Sequence, residues 1–273
     1  MAKKNVEYKA RVLFFHGYTQ SASTFYAKTS ALRKKLASFK LKAVYLNAPL
    51  QLTPAQFPTQ DSLSKFGAAS NGKDENLVNY RAWWLKNPDN SYEIESAIET
   101  VRKYMKERLV LNEESGEYEK AENGDEGLPV KGIIGFSQGA CFGGALVHKF
   151  EELFGNSLDF AVLYSGFKID TKLMPHYEKF YSGDDGASTK ARLLHVVGEL
   201  DTVVGEDRAY TLYESSKKNS ELLKHPGGHF VPNSKLLVDQ VVNWIHREEE
   251  QREGEKKDDS VDDIMAMMDK VGV

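Results

Sequence analysis

The sequence predicts an α/β fold: a mainly parallel, doubly wound sheet with helices on both of its faces. Two observations carry this. Short runs that are apolar on both faces recur along the chain, and helical periodicity fills most of the intervals between them. A buried strand that alternates with helices belongs to a parallel sheet, and right-handed crossovers place those helices on both sides. Composition agrees. The chain has 273 residues, 41% hydrophobic and 28% charged, which suits one large domain or two small ones. A chain of this size buries about three quarters of its unfolded surface, so it needs no covalent or metal staple.

Six strands are expected, over 11–15, 42–47, 130–135, 158–165, 192–198 and 221–225, each bounded by turn residues. Between the first two, Phe25, Thr29, Leu32, Leu36 and Phe39 recur with the period of one helical face. Ile94, Ile98, Val101 and Met105 repeat the pattern ahead of the third strand, and Leu237, Val241, Trp244 and Ile245 mark a last helix. These elements make up an expected domain over 1–246. Three segments break the alternation. The stretch 50–84 begins rich in Pro, Gln, Ser, Asn and Gly and is long enough to be a lid. Residues 112–127 are acidic and read as a solvated surface insert. The segment 247–273 reads as a charged linker followed by a short amphipathic tail. In that tail Ile264, Met267, Met268 and Val271 share one helical face, which suggests protein docking through residues 260–273.

Charge and cysteine content narrow the function. With 36 Lys plus Arg against 40 Asp plus Glu, the net charge is −4, which argues against nucleic acid or an anionic membrane as the main partner. No apolar run approaches the roughly 18–20 residues that span a bilayer. No apolar stretch of signal-peptide length follows the N-terminal charges, so a cytoplasmic or nucleocytoplasmic location is expected. The single cysteine, Cys141, excludes an internal disulfide and a cysteine-based zinc cluster, and its position inside a helix suggests a buried structural thiol.

In a doubly wound sheet, ligands bind beyond the carboxyl ends of the strands. There the strand 130–135 runs into Gly135-Phe136-Ser137-Gln138-Gly139, and a small-residue helix follows. That is the strand–turn–helix context of a nucleophile elbow. A serine hydroxyl needs a base oriented by an acid, and in this topology the chain order is Ser, then Asp or Glu, then His. Asp201 follows the strand that ends at Gly198, with Glu199 as the alternative acid. His229 lies in the Gly227-Gly228-His229-Phe230 loop after the last strand. His225 and His195 read as structural, and His148 and His246 as exposed helix residues. The oxyanion donors are expected to be the backbone N–H groups of Gln138 and of Tyr18, in the loop after the first strand. His16 precedes the serine and reads as a loop-shaping side chain. The apolar side chains Phe57, Trp83 and Trp84 are candidate walls of an acyl pocket. His225 and His229 are separated by Pro-Gly-Gly, which cannot be helical, so no metal is assigned.

Several stretches together resemble the fungal family of serine hydrolases, relatives of the ovarian-cancer-associated esterase-type hydrolases of animals. They are Phe14-Phe15-His16-Gly17, Asn47-Ala48-Pro49, Arg81-Ala82-Trp83-Trp84, the serine elbow, Gly198-Glu199-Leu200-Asp201 and Gly227-Gly228-His229-Phe230-Val231-Pro232. The resemblance spans residues 10–246. It implies an α/β-hydrolase fold, a triad of Ser137, Asp201 and His229, and hydrolysis of a small or lipid-like acyl ester or thioester without a cofactor. It also implies a cytoplasmic location, shared in some members with the nucleus. The acidic insert and the charged C-terminal extension depart from the family pattern. Two other readings fit the same motifs: a catalytically silent binding protein on this fold, and a peptidase that uses the same triad.

Overall fold

The structure, a computed structural model, describes residues 7–53, 56, 80–121, 126–181 and 189–247. Phe57, most of the expected lid and the expected linker and tail beyond residue 247 lie outside the described residues.

Six parallel strands form the central sheet: β1 (Ala10–Phe15), β2 (Leu41–Leu46), β7 (Val130–Phe136), β8 (Phe160–Tyr164), β9 (Arg192–Gly198) and β10 (Ser220–His225). Their order is β10-β9-β8-β7-β1-β2, and every neighbouring pair is parallel. The first strand and its successor pair outward, and the order then reverses through β7 to β10. The middle strands are apolar on both faces because both faces are covered. Within β1, Leu13 and Phe15 enter one core while Val12 and Phe14 enter the other.

The first core lies under α3 (Glu95–Glu107), α4 (Gln138–Leu146), α5 (Phe150–Phe154) and α6 (Glu206–Ser215). The second lies under α1 (Ala22–Lys28), α2 (Ser30–Ser38) and the helix over 235–247. The expected face of Phe25, Leu32 and Leu36 is buried, but it is carried by two helices. The break is at Thr29. Its hydroxyl donates to the Phe25 carbonyl at 2.7 Å and bonds the Tyr45 hydroxyl at 2.6 Å, so a β-branched residue with a local hydrogen bond bends the chain there.

Two small antiparallel pairs flank the sheet. Strands β3 (Leu50–Gln51) and β4 (Arg81–Ala82) bring together the two ends of the 50–84 stretch. Strands β5 (Leu109–Leu111) and β6 (Tyr118–Lys120) form a hairpin in the expected insert. The described part of the acidic stretch, expected as a solvated surface insert, is tied to the body at two points. Glu113 accepts from both the N–H and the hydroxyl of Ser23, each at 2.7 Å, in the first turn of α1. Tyr118 bonds Thr100 on α3, and Leu111 is buried. An anion at a helix N-terminus satisfies an otherwise orphaned donor and complements the helix dipole. Among the described residues, no helix is long and apolar enough to cross a membrane.

Candidate active site

The carboxyl ends of β1, β7, β8, β9 and β10 converge on one place. Strand β7 ends at Phe136, and α4 begins at Gln138, which leaves Ser137 alone to turn the chain. Its backbone sits at φ 52° and ψ −116°. A non-glycine residue there carries of the order of 1–3 kcal/mol of strain, which the surroundings must hold in place. They do so by crowding. A Cβ on Gly139 would lie 2.2 Å from the Phe15 carbonyl oxygen and 2.4 Å from that of His16. A Cβ on Gly135 would lie 2.5 Å from the Gly139 carbonyl oxygen. The two glycines of the elbow thus let α4 start directly against the end of β1. The Ser137 N–H continues the sheet ladder to the Tyr164 carbonyl at 2.8 Å, so strand geometry holds the serine up to the turn.

The three residues picked out by motif and chain order meet here. Ser137 Oγ lies 3.0 Å from His229 Nε2, and His229 Nδ1 lies 2.8 Å from Asp201 Oδ2. An ionised carboxylate can only accept, so Nδ1 carries the imidazole proton and Nε2 is left to accept from the serine hydroxyl. All three side chains are buried. Glu199, the alternative acid, is exposed two residues earlier, whereas Asp201 turns inward. Asp201 does not cap α6, whose N-cap is Gly205. Its second oxygen, Oδ1, accepts the N–H groups of Val203 and Val204, both at 2.9 Å.

A fourth side chain completes the carboxylate's shell and was not evident from the sequence. Ser165 follows β8 in a left-handed conformation, φ 48°, and its hydroxyl donates to Asp201 Oδ2 at 2.8 Å. Burial by itself raises the Asp201 pKa. The hydrogen bond and electrostatic attraction of His229 and the donors Val204 and Ser165 outweigh burial, and the carboxyl lies below its ordinary range. The one sequence signal for Ser165 is its position, a small polar residue at the carboxyl end of the strand beside the nucleophile strand.

The loop after β1 is pinned from several sides. The Gly17 N–H donates to Gln20 Oε1 at 3.1 Å, the Thr19 N–H to the Arg81 carbonyl at 3.1 Å, and the Arg81 N–H to the Gln20 carbonyl at 3.0 Å. Underneath, His16 is fully buried. Its Nε2 accepts the Ala48 N–H at 3.0 Å, so its Nδ1 donates to the Gly17 carbonyl at 2.8 Å. Burial is the main cause that pushes its pKa down to about 4, so it is a neutral spacer that shapes the loop. Tyr18 and Gln138 line one cavity together with Ser137. Gln138 opens α4, where the helix offers its N–H no acceptor.

That cavity has a volume of about 470 Å³. Trp84, Tyr92, Phe167, Val203 and Val204 supply apolar wall, and Lys86 and Arg208 stand at its exposed rim. Of the two tryptophans expected as pocket walls, Trp84 lines this cavity and Trp83 does not. Trp83 packs with centroids 4.9 Å from Phe142 and 5.1 Å from Phe15, and its indole N–H donates to the His16 carbonyl at 2.8 Å. It is core. Both tryptophans follow β4 in irregular chain, and their side chains part there: Trp83 is fully buried, whereas Trp84 stacks on Tyr92 with centroids 4.9 Å apart at the cavity wall. The side chain of Gln138 clamps this pair of tryptophans: its Oε1 accepts the Trp83 N–H, and its Nε2 donates to the Trp84 carbonyl, both at 2.9 Å. A second, smaller cavity of about 250 Å³ is lined by His229, Phe136, Phe230 and Lys28 among others.

The remaining histidines, the exposed His176 apart, are structural. His195 bonds Ser220, and His225 accepts the Gly227 N–H. His148 and His246 are not the exposed residues the sequence suggested. His148 bonds Ser216 at 2.7 Å and is mostly buried, and His246 stacks on Phe39 at 4.0 Å. Cys141 is fully buried one turn beyond Ser137, and burial drives its thiol pKa far up, so it is no competing nucleophile.

A family model described as serine hydrolase (FSH1) matches residues 6–241. Family of serine hydrolases 3 from Saccharomyces cerevisiae is 34% identical, with 97% of this chain and 98% of that protein covered. Esterase OVCA2 from Danio rerio is 32% identical, with 81% of this chain and 90% of that protein covered. Among solved structures, Zea mays acyl-protein thioesterase 2 superposes with a TM-score of 0.53 at 19% identity, covering 90% of this chain and 96% of that one. Esterase PE8 does so with a TM-score of 0.51 at 17% identity, covering 89% and 94%. At such identities the likeness is one of fold, and the fold is that of the α/β-hydrolases.

Proposed function

The chain belongs to the FSH1 family of serine hydrolases and is a serine esterase, and from that premise we propose that Ser137, His229 and Asp201 hydrolyse a carboxylic ester or thioester of a small or lipid-like acyl group through an acyl-enzyme. The observation that carries this reading is the continuous relay from Ser137 Oγ through the imidazole to Asp201 at the carboxyl ends of the strands. His229 Nε2 takes the hydroxyl proton as Oγ attacks the acyl carbonyl carbon. The carbonyl oxygen becomes an oxyanion, held by the N–H groups of Gln138 and Tyr18. Each such donor is worth about 3–4 kcal/mol in the transition state. Asp201 keeps the proton on Nδ1 and stabilises the imidazolium that forms. The imidazolium then protonates the leaving oxygen or sulfur. Water, deprotonated by His229, attacks the acyl-enzyme and frees the acid and Ser137.

Ser165 is a positioning residue, since it reaches the chemistry only through Asp201. The apolar wall of the larger cavity suits a hydrocarbon acyl chain, and the depth it accepts sets the preferred length. A panel of 4-nitrophenyl and coenzyme A esters of graded chain length would define that length. Covalent chemistry is tested by a fluorophosphonate probe. The expected result is one label, on the Ser137 peptide, absent in Ser137→Ala. Labelling that survives in Ser137→Ala would assign the nucleophile elsewhere.

A further inference from the structure

The two cavities share no lining residue and are not equivalent. His229, which must hand its proton to the leaving atom, lines the smaller one, whereas Ser137 and Gln138 line the larger. On the mechanism proposed above, the leaving group therefore departs toward the smaller cavity and the acyl chain occupies the larger. The larger cavity is apolar in its walls but not at its rim. Two cations, Lys86 and Arg208, line it, and no carboxylate among the described residues does. This is unusual for a chain whose net charge is −4.

Arg208 is not a loose surface arginine. Its guanidinium carbon lies 3.7 Å from the centroid of the Phe167 ring, and Phe167 is itself part of the cavity wall. Stacking on an aromatic face fixes the plane of the fork and leaves its N–H edge available. Among the described residues no carboxylate pairs with it. Burial raises the Tyr92 and Cys141 pKa values, and the Arg208 charge opposes it at both, with Asp170 acting the other way at Tyr92. An arginine held flat against an apolar wall, in no ion pair with a carboxylate among the described residues, is a receptor for a planar anion that arrives at the end of a hydrocarbon chain.

We propose that the preferred acyl group carries an anionic end, a terminal carboxylate, and that Arg208, with Lys86 beside it, binds that end while the chain runs along the Trp84–Phe167 wall to Ser137. The substrate class is then a half-ester or half-thioester of a dicarboxylic acid. This rests on the triad reading, but its test separates the two. Mono-4-nitrophenyl esters of adipic and suberic acid would be compared with the same compounds whose free carboxyl is methylated, at low salt. The leaving group is identical, so only the acyl end differs. The expected result is that kcat/KM favours the free acid by about five- to tenfold, the worth of one well-oriented, partly exposed charged pair. The preference should fade as salt approaches 1 M, where screening reaches about 3 Å.

Arg208→Gln should bring the ratio close to one, mainly through KM. Arg208→Lys should retain part of it, because charge survives and the fork does not. Lys217→Gln removes the same charge from an exposed site beyond the far end of α6 and should leave the ratio where it was. A second arm compares hexanoyl-coenzyme A with hexanoyl-pantetheine, which lacks the phosphates. An Arg208-dependent preference in that arm, and not in the first, would place the anion on the leaving group and overturn the proposal. Equal rates for free acid and methyl ester in the wild type, or a ratio that Arg208→Gln does not move, would overturn it as well while the esterase reading stood. Failure to hydrolyse any of these esters would instead contradict the triad mechanism.

Discussion

Ser165→Ala isolates one contact that feeds the chemistry without touching substrate. The hydroxyl donates at 2.8 Å to Asp201 Oδ2, the same oxygen that receives His229 Nδ1. A hydrogen bond to a charged acceptor contributes about 1.5–3 kcal/mol. Three donors remain on the carboxylate after the change, from His229, Val203 and Val204, so the lower end applies. Alanine keeps the left-handed backbone at no new steric cost, because its Cβ matches that of serine. If the whole of about 1.5 kcal/mol falls on the transition state, in which Asp201 faces an imidazolium, kcat drops roughly tenfold. KM should stay within about twofold, because Ser165 lines neither cavity. The assay is steady-state hydrolysis of a short 4-nitrophenyl ester near pH 7.5.

Stability supplies an independent readout of the same bond. The folded Asp201 pKa is depressed, so its carboxylate stabilises the fold above the unfolded pKa of about 3.9, and the contribution disappears as pH falls through the lower folded value. Ser165→Ala weakens the depression. The variant should therefore melt below the wild type at pH 7, and the gap should close as pH falls below about 4. An unchanged kcat, or a loss confined to KM, would refute the role given to Ser165.

Further outcomes follow from other contacts. Gln138→Leu strands the buried Trp83 N–H and Trp84 carbonyl, each at a cost of about 1–3 kcal/mol, so Tm should fall by several degrees and KM should rise as the Trp84 wall loosens; an unchanged Tm would deny the clamp. Gly139→Ala forces a methyl group to about 2.2 Å from the Phe15 carbonyl oxygen, and a loss of at least about 2 kcal/mol in urea unfolding is expected; a neutral result would mean that α4 can slide away from β1. Glu113→Ala removes both bonds to Ser23 and should lower Tm by about 2–4 °C with kcat nearly constant; a silent change would return the hairpin to the status of a surface insert. His16, His148 and His195 are held neutral by burial, with folded pKa values of about 4 against 6.5 when unfolded. The unfolded chain takes up their protons first, so stability is full above pH 6.5 and is lost as pH falls toward 4. His148→Gln should flatten that slope by at most about 1.4 kcal/mol per pH unit, read by urea titrations at pH 4.5 and 6.5.

The parts legible in the sequence were those governed by local pattern. Two-sided apolar runs such as Val12–Phe15 state that a strand is covered on both faces, and the elbow states its own backbone through Gly135 and Gly139. Chain order brought Asp201 and His229 to the serine because the strand order β7-β8-β9-β10 sets consecutive strand ends side by side. The rest depended on contacts between segments far apart in the chain. Ser165 is an ordinary turn serine until β8 is placed between β7 and β9. Glu113 is one acid in an acidic stretch until the hairpin folds against α1. Trp83 and Trp84 are indistinguishable as letters, and only packing, of Trp83 on Phe15 and Phe142 and of Trp84 on Tyr92, decides which of them meets the cavity. The helix break at Thr29 is hidden because its hydroxyl partner, Tyr45, sits on another element. His148 falls in the turn after α4 and His246 on the last helix, and only packing reveals that both face inward.

The central claim is that Ser137 and His229 act as one chemical unit, and kcat for Ser137→Ala, His229→Ala and the double variant tests it most directly. Each single change should reduce kcat by of the order of 10⁴–10⁶, and the double change should cost scarcely more than either alone, because removing one member already disables the other. Losses that multiply in the double variant would show two independent contributions, and the relay from serine to imidazole would not be the catalytic device.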